Sequence, residues 1–114
     1  MIAVIFEVEP ADGQADRYFE LAGQLKAQLL EQDGFISVER FESLTTPGRF
    51  LSLSFWRDEA AVQGWRRLET HRAAQQEGRD STFAAYRLRV ASVIRDYGKS
   101  ERDEAPLDSR KKLA

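Results

Sequence analysis

The 114-residue chain predicts an α+β fold in which two helices lie on one face of a single antiparallel sheet, in the ferredoxin-like order β-α-β-β-α-β. Three observations carry this. Runs of β-branched and aromatic residues open the chain and return near residue 90. Two stretches between them place apolar residues at spacings of three and four. A Thr-Thr-Pro-Gly turn separates two middle runs of extended character. In such a fold both helices cover the same face and leave the other face in need of cover.

The elements follow in order. Ile2 to Val8 is a strand, ended by Pro10 and a turn through Ala11-Asp12-Gly13. From Gln14 to Gln32 the residues Tyr18, Leu21, Ala22, Leu25 and Leu29 keep helical spacing, with Asp12 or Asp16 near the start and Gly34 as the stop. Phe35 to Ser43 and Arg49 to Trp56 form a hairpin about Thr45-Thr46-Pro47-Gly48; the second strand alternates Leu51, Leu53, Phe55 with Phe50, Ser52, Ser54, Trp56. Asp58 caps a second helix with Ala61, Val62, Trp65 and Leu68 on one face. A further turn or two runs from His71 toward Gln76, and Gly78 stops it. Last, Tyr86, Leu88, Val90, Ser92 and Ile94 alternate with a row that contains Arg87, Arg89 and Arg95, giving one long strand.

Composition sets the class of partner. Lys and Arg total 17 against 19 Asp and Glu, a net charge of −2, so no overall positive field draws in nucleic acid. Cysteine is absent and histidine occurs once, which excludes disulfide frameworks, thiolate metal sites and any site of two imidazoles within one subunit. No metal site is expected. No run approaches the roughly 20 apolar residues of a membrane span, and Met1-Ile2-Ala3-Val4-Ile5-Phe6 lacks the basic flank of a secretory signal. The expected setting is the cytoplasm. Residues 1–98 hold 12 basic and 15 acidic side chains and form the expected globular domain. Residues 99–114 hold 5 and 4, with Pro106 and only Leu107 and Leu113 as sizeable hydrophobes, and read as a charged, disordered tail.

The segment Phe55-Trp56-Arg57-Asp58-Glu59-Ala60-Ala61-Val62-Gln63-Gly64-Trp65, then His71-Arg72-Ala73-Ala74-Gln75, then Phe83 to Gly98 resembles the antibiotic biosynthesis monooxygenase family. Pro10 and Asp33-Gly34-Phe35-Ile36 add to the resemblance, which spans roughly residues 2 to 98. It implies a dimeric α+β barrel, two ferredoxin-like subunits packed sheet to sheet, each with a pocket between sheet and helices. It also implies a monooxygenase that attacks phenolic or quinol-like aromatics with dioxygen and no bound cofactor. Some members have no established reaction, so a non-enzymatic dimeric binding module is the alternative. A haem-degrading branch of the superfamily has a tryptophan in helix two, a histidine about ten residues later and an asparagine late in strand one. Trp65 matches, but Gln75 and Phe6 or Glu7 occupy the other positions.

Within that frame His71 is the candidate catalytic base, being the side chain whose ordinary pKa lies nearest neutrality. If Thr70 caps a new helical segment, the dipole keeps the ring neutral. Trp65, Trp56, Phe83, Tyr86 and Arg40 are the candidate substrate-binding residues: aromatic faces to stack on a flat ring, and an arginine or tyrosine hydroxyl to meet a phenolate. Trp56 either lines the pocket or seals the dimer. Arg87, Arg89 and Arg95 read as an edge that pairs with Glu7, Glu39 or Glu42, and Arg66, Arg67 and Arg72 as a solvated helix face.

Overall fold

β1 (Ile2–Pro10), α1 (Ala15–Leu30), β2 (Phe35–Glu42), β3 (Phe50–Trp56), α2 (Glu59–Arg66), α3 (Glu69–Glu77), β4 (Phe83–Ser92) and α4 (Leu107–Lys112) follow one another along the chain. The structure, a computed structural model, describes residues 1–112, apart from the side-chain surroundings of residues 69–71, 75, 78 and 110–112. The strands pair antiparallel in the order β2-β3-β1-β4. This is the ferredoxin-like arrangement, and the sheet stays open at β2 and β4.

Local chemistry sets the element ends. Asp58 caps α2 by accepting the Ala61 N–H at 2.9 Å. At the other helix the cap residue is Gln14, with no side-chain bond, and Asp16 supplies the favourable charge in the first turn. Gly34 turns the chain out of α1 at φ +84°, and a Cβ there would stand 2.6 Å from that of Ala61. Glycine is required at this position both by its backbone and by the approach of α2.

Three boundaries differ from the pattern. The second helical region divides into α2 and α3 at Arg67 and Leu68. Gly78 does not stop it: α3 passes into a π-helical turn, Gly78–Thr82, whose last carbonyl accepts the Ala11 N–H at 2.8 Å. β4 begins at Phe83 and ends at Ser92, so Ile94 lies past the strand and is 82% exposed. The register runs out here: Ser92 pairs with Ile2, the first residue of β1, and Val93 donates to the Met1 carbonyl.

The register places alternate residues on opposite faces. Phe6 pairs with Ser52 and Leu88, and Ser52 with Arg40, so these four form one row across the helix-covered face. Rows built on Ile2, Val4 and Val8 flank it. Trp56, Ala61, Val62 and Trp65 form the buried core at one end of this layer, with Leu25, Leu29 and Leu68 packed against them. Trp56 is 1% exposed. At the β4 edge the cover gives out: Tyr86, Leu88 and Val90 are 48%, 43% and 47% exposed.

The opposite face carries Ile5, Leu51, Leu53 and Phe55, all half-buried, beside the exposed Phe41. Toward β4 this face is charged. Glu7 accepts from Arg49 and, at 2.9 Å, from Arg89. The segment after Gly98 contains α4 and a set of local bonds around Arg102. Its guanidinium donates to the Gly98 carbonyl at 2.9 Å and to Ser109 Oγ at 2.7 Å, and it lies over the Tyr97 ring. The two terminal nitrogens of this one arginine thus tie Gly98 to Ser109 where few hydrophobes are present.

Candidate functional site

Between the helices and the covered face of the sheet lies a cavity of about 410 Å³, within the range of small-molecule pockets. β3 creates it. Its helix-side row is Phe50, Ser52, Ser54, Trp56, and the two serines between the aromatics are too short to reach α1. The bulkier row, Leu51, Leu53 and Phe55, points the other way. Tyr18, Leu21 and Leu25 of α1 and Val62 and Trp65 of α2 form the roof.

All five residues expected to bind substrate border this cavity: Trp65, Trp56, Phe83, Tyr86 and Arg40. Trp56 lies on the chamber side and not on the face expected to meet a second copy, because its register partner Ile2 shares the helix-covered row. Its indole Nε1–H donates to Ser54 Oγ at 2.9 Å. Trp56 and Trp65 stand with ring centres 6.4 Å apart at one end of β1. At the other end Phe83 and Tyr86 are 6.0 Å apart, and both lie within 6 Å of Phe6. The chamber is thus aromatic at both ends, with aliphatic side chains and the two serines of β3 between.

His71 belongs to α3, in its first turn, one turn before the cavity-lining Ala74. The side chains of His71 and Thr70 lie outside the described residues.

Sequence reasoning missed several wall residues. Tyr18 was legible only as one of the apolar positions of α1; Ser52 and Ser54 become wall residues once the inward row of β3 is known. Arg66 is exposed, as a solvated helix face requires, and also edges the cavity. Arg79, in the π-helical turn, does the same, and donates to Gln76 Oε1 at 2.9 Å. With Arg40 these make three arginines, and no Asp or Glu stands among the described lining residues. Their charge favours an anion at that edge of the cavity.

Tyr18 is 5% exposed, and among the described residues its buried hydroxyl has no acceptor. The Arg40 guanidinium lies over its ring, 5.8 Å from the centre. Burial pushes the Tyr18 hydroxyl above its ordinary pKa, with Arg40 working in the opposite sense, so at neutral pH it is a phenol and a donor.

Comparison with known proteins places the chain. The antibiotic biosynthesis monooxygenase family profile matches residues 1–77. A jasmonate monooxygenase of Pyricularia oryzae is 48% identical over 93 residues, which cover 82% of this chain and 43% of that protein. The chain therefore spans less than half the length of that relative. The uncharacterized protein YqjZ of Bacillus subtilis is 32% identical over 93 residues, 82% of this chain and 79% of its own. Among solved structures, a putative antibiotic biosynthesis monooxygenase from Deinococcus radiodurans superposes with a TM-score of 0.76 at 15% identity, over 86% of this chain and 97% of that one. Rv0793 from Mycobacterium tuberculosis does so with 0.76 at 15%, over 85% and 98%. At such identities the two structures speak for the fold alone. The profile match and the two sequence relatives go further: the chain belongs to the antibiotic biosynthesis monooxygenase family.

Proposed function

We propose that the chain is a small cytoplasmic monooxygenase that oxidises a phenolic or quinol-like aromatic with dioxygen and no bound cofactor. The cavity carries this reading: about 410 Å³ of largely apolar space, arginines at its edge, and no carboxylate among its described lining residues. A substrate of this class provides its own electrons. Removal of a proton leaves an electron-rich anion. At an activated CH₂ carbon, dioxygen then leaves one atom as a carbonyl and the other as water, and the two broken C–H bonds supply the four electrons. The chain's part is to take the proton, support the anion and keep water out. His71 is the proposed base: the first turn of α3 is a place where the helix dipole disfavours imidazolium. Arg40 supports the anion, and Trp56, Trp65, Phe83 and Tyr86 hold the ring.

A second reading rests on the relative named jasmonate monooxygenase, 48% identical over the shared 93 residues. On that reading the substrate is an anion on a non-aromatic apolar body, and an added two-electron donor is needed. Oxygen uptake separates the two. Turnover of quinols or anthrones without a reductant supports the first, and turnover of jasmonate only with a reductant supports the second. Equal rates for wild type and His71→Ala remove His71 from the mechanism. No uptake with any substrate leaves a chamber that binds without reacting, the non-enzymatic alternative.

We also propose that the working unit is a homodimer. The apolar strip Ile5, Leu51, Leu53, Phe55 and Phe41 on the face away from the helices supports it, since a second copy packed sheet to sheet buries that strip. Among the described residues no helix is long and apolar enough to cross a membrane.

A further inference from the structure

We propose that Tyr18 and Arg40 form a clamp for an anionic oxygen on the ligand, a carboxylate or an ionised phenol, with the ligand's apolar body lying along the strand rows toward Trp56. This rests on reading the cavity as the ligand chamber, and adds which end holds the charge.

Three observations converge on the pair. First, the Tyr18 hydroxyl belongs to a cavity-wall side chain that is 5% exposed, and among the described residues nothing accepts its proton, Arg40 beside it being a donor. A buried hydroxyl is seldom left so unless something absent from the chain completes it. Second, Arg40 lies across the Tyr18 ring and makes no ion pair among the described residues, whereas Arg17, Arg49, Arg57 and Arg89 each engage a carboxylate. Third, both groups donate. The guanidinium cannot accept a hydrogen bond, and the raised pKa keeps the phenol protonated. Ser52, register partner of Arg40, adds a hydroxyl to the same row. Two donors side by side with no acidic residue on the described wall suit an oxygen bearing negative charge, the strongest acceptor available. The row continues through Phe6 to Leu88, and beyond it stand Ser54 and Trp56, so a ligand held at Tyr18 and Arg40 finds an apolar bed beside it.

Calorimetric binding tests this with two matched probe pairs at pH 8: 4-cyclohexylbutyric acid against its methyl ester, and 4-nitrophenol against 4-nitroanisole. In each pair the apolar body is kept and the anionic oxygen removed. The wild-type protein is expected to bind the anion of at least one pair about tenfold more tightly than its neutral partner. The pair that shows the difference identifies the anion as carboxylate or phenolate. Arg40→Gln is expected to bring that ratio close to unity. Tyr18→Phe, which keeps the ring packing, is expected to lower it severalfold while leaving the affinity for the neutral probe unchanged. Equal affinity within both pairs overturns the clamp and leaves the chamber standing. A ratio that survives Arg40→Gln, or one lost instead in Arg66→Gln or Arg79→Gln, also overturns it. Failure of all four probes to bind sinks the chamber and the clamp together.

Discussion

Arg17 on α1 grips Glu77 at the end of α3 through two parallel hydrogen bonds, Nε to Oε2 at 2.5 Å and Nη2 to Oε1 at 2.6 Å. Thr82 Oγ1 adds a longer bond to the same carboxylate at 3.4 Å. The fork ties the helical roof to the turn that delivers the chain into β4, and it holds the Glu77 carboxyl below the usual glutamate range. Its contribution is therefore complete above the ordinary glutamate pKa and is lost as pH falls through the depressed folded value. Melting temperature is expected to drop from about pH 5 downward. Glu77→Gln should lower it by a few degrees at neutral pH and flatten that acid limb. Part of the slope should remain, because the Ala61 N–H and Arg57 depress Asp58, and Arg57 depresses Asp33.

Two glycines give opposite expectations. Gly34→Ala forces a side chain into a left-handed backbone with Ala61 Cβ 2.6 Å away, and is expected to destabilise by about 2 kcal/mol in urea unfolding. Gly23→Ala, mid-way along α1 with nothing within 4 Å of the new Cβ, is expected to stabilise by about 1 kcal/mol.

The serines of β3 are separable by the same measurement. Ser54→Ala removes the acceptor of the buried Trp56 indole, and a loss of about 1–2 kcal/mol is expected. Ser52→Leu adds apolar volume to the hollow, and should leave stability unchanged or raised while weakening ligand binding by about tenfold.

Leu53→Arg places a charge in the middle of the apolar strip on the uncovered face of the sheet. Sedimentation is expected to shift from dimer to monomer, with the circular dichroism of the fold retained. An unshifted dimer would place the contact elsewhere.

Much of this architecture is legible in local pattern. Tyr18, Leu21, Leu25 and Leu29 mark α1 by their spacing, and Asp58 and Gly34 mark where α2 begins and α1 ends. The strand of alternating Ser and Leu is where local pattern runs out. Alternation shows that β3 has two faces, but ordinary hydrophobic logic turns the leucines toward the helices, and the register turns the serines there instead. The hollow follows from that choice, so its walls can be named from sequence only in part. Arg40 was within reach as a polar group on a strand; the Tyr18 hydroxyl was concealed within an apolar helical stripe. The fate of Gly78 was also hidden, because the π-helical turn depends on long-range ties from Arg17 and Ala11.

The half-covered edge strand has a practical meaning. Tyr86, Leu88 and Val90 border the chamber yet remain nearly half wet, so a molecule seated against them would cover apolar surface that the chain leaves to solvent. Whatever enters is packing material as well as guest. For any guest that binds there, heat resistance should rise with the logarithm of its concentration, so a simple melting assay screens candidate guests for the proposed chamber.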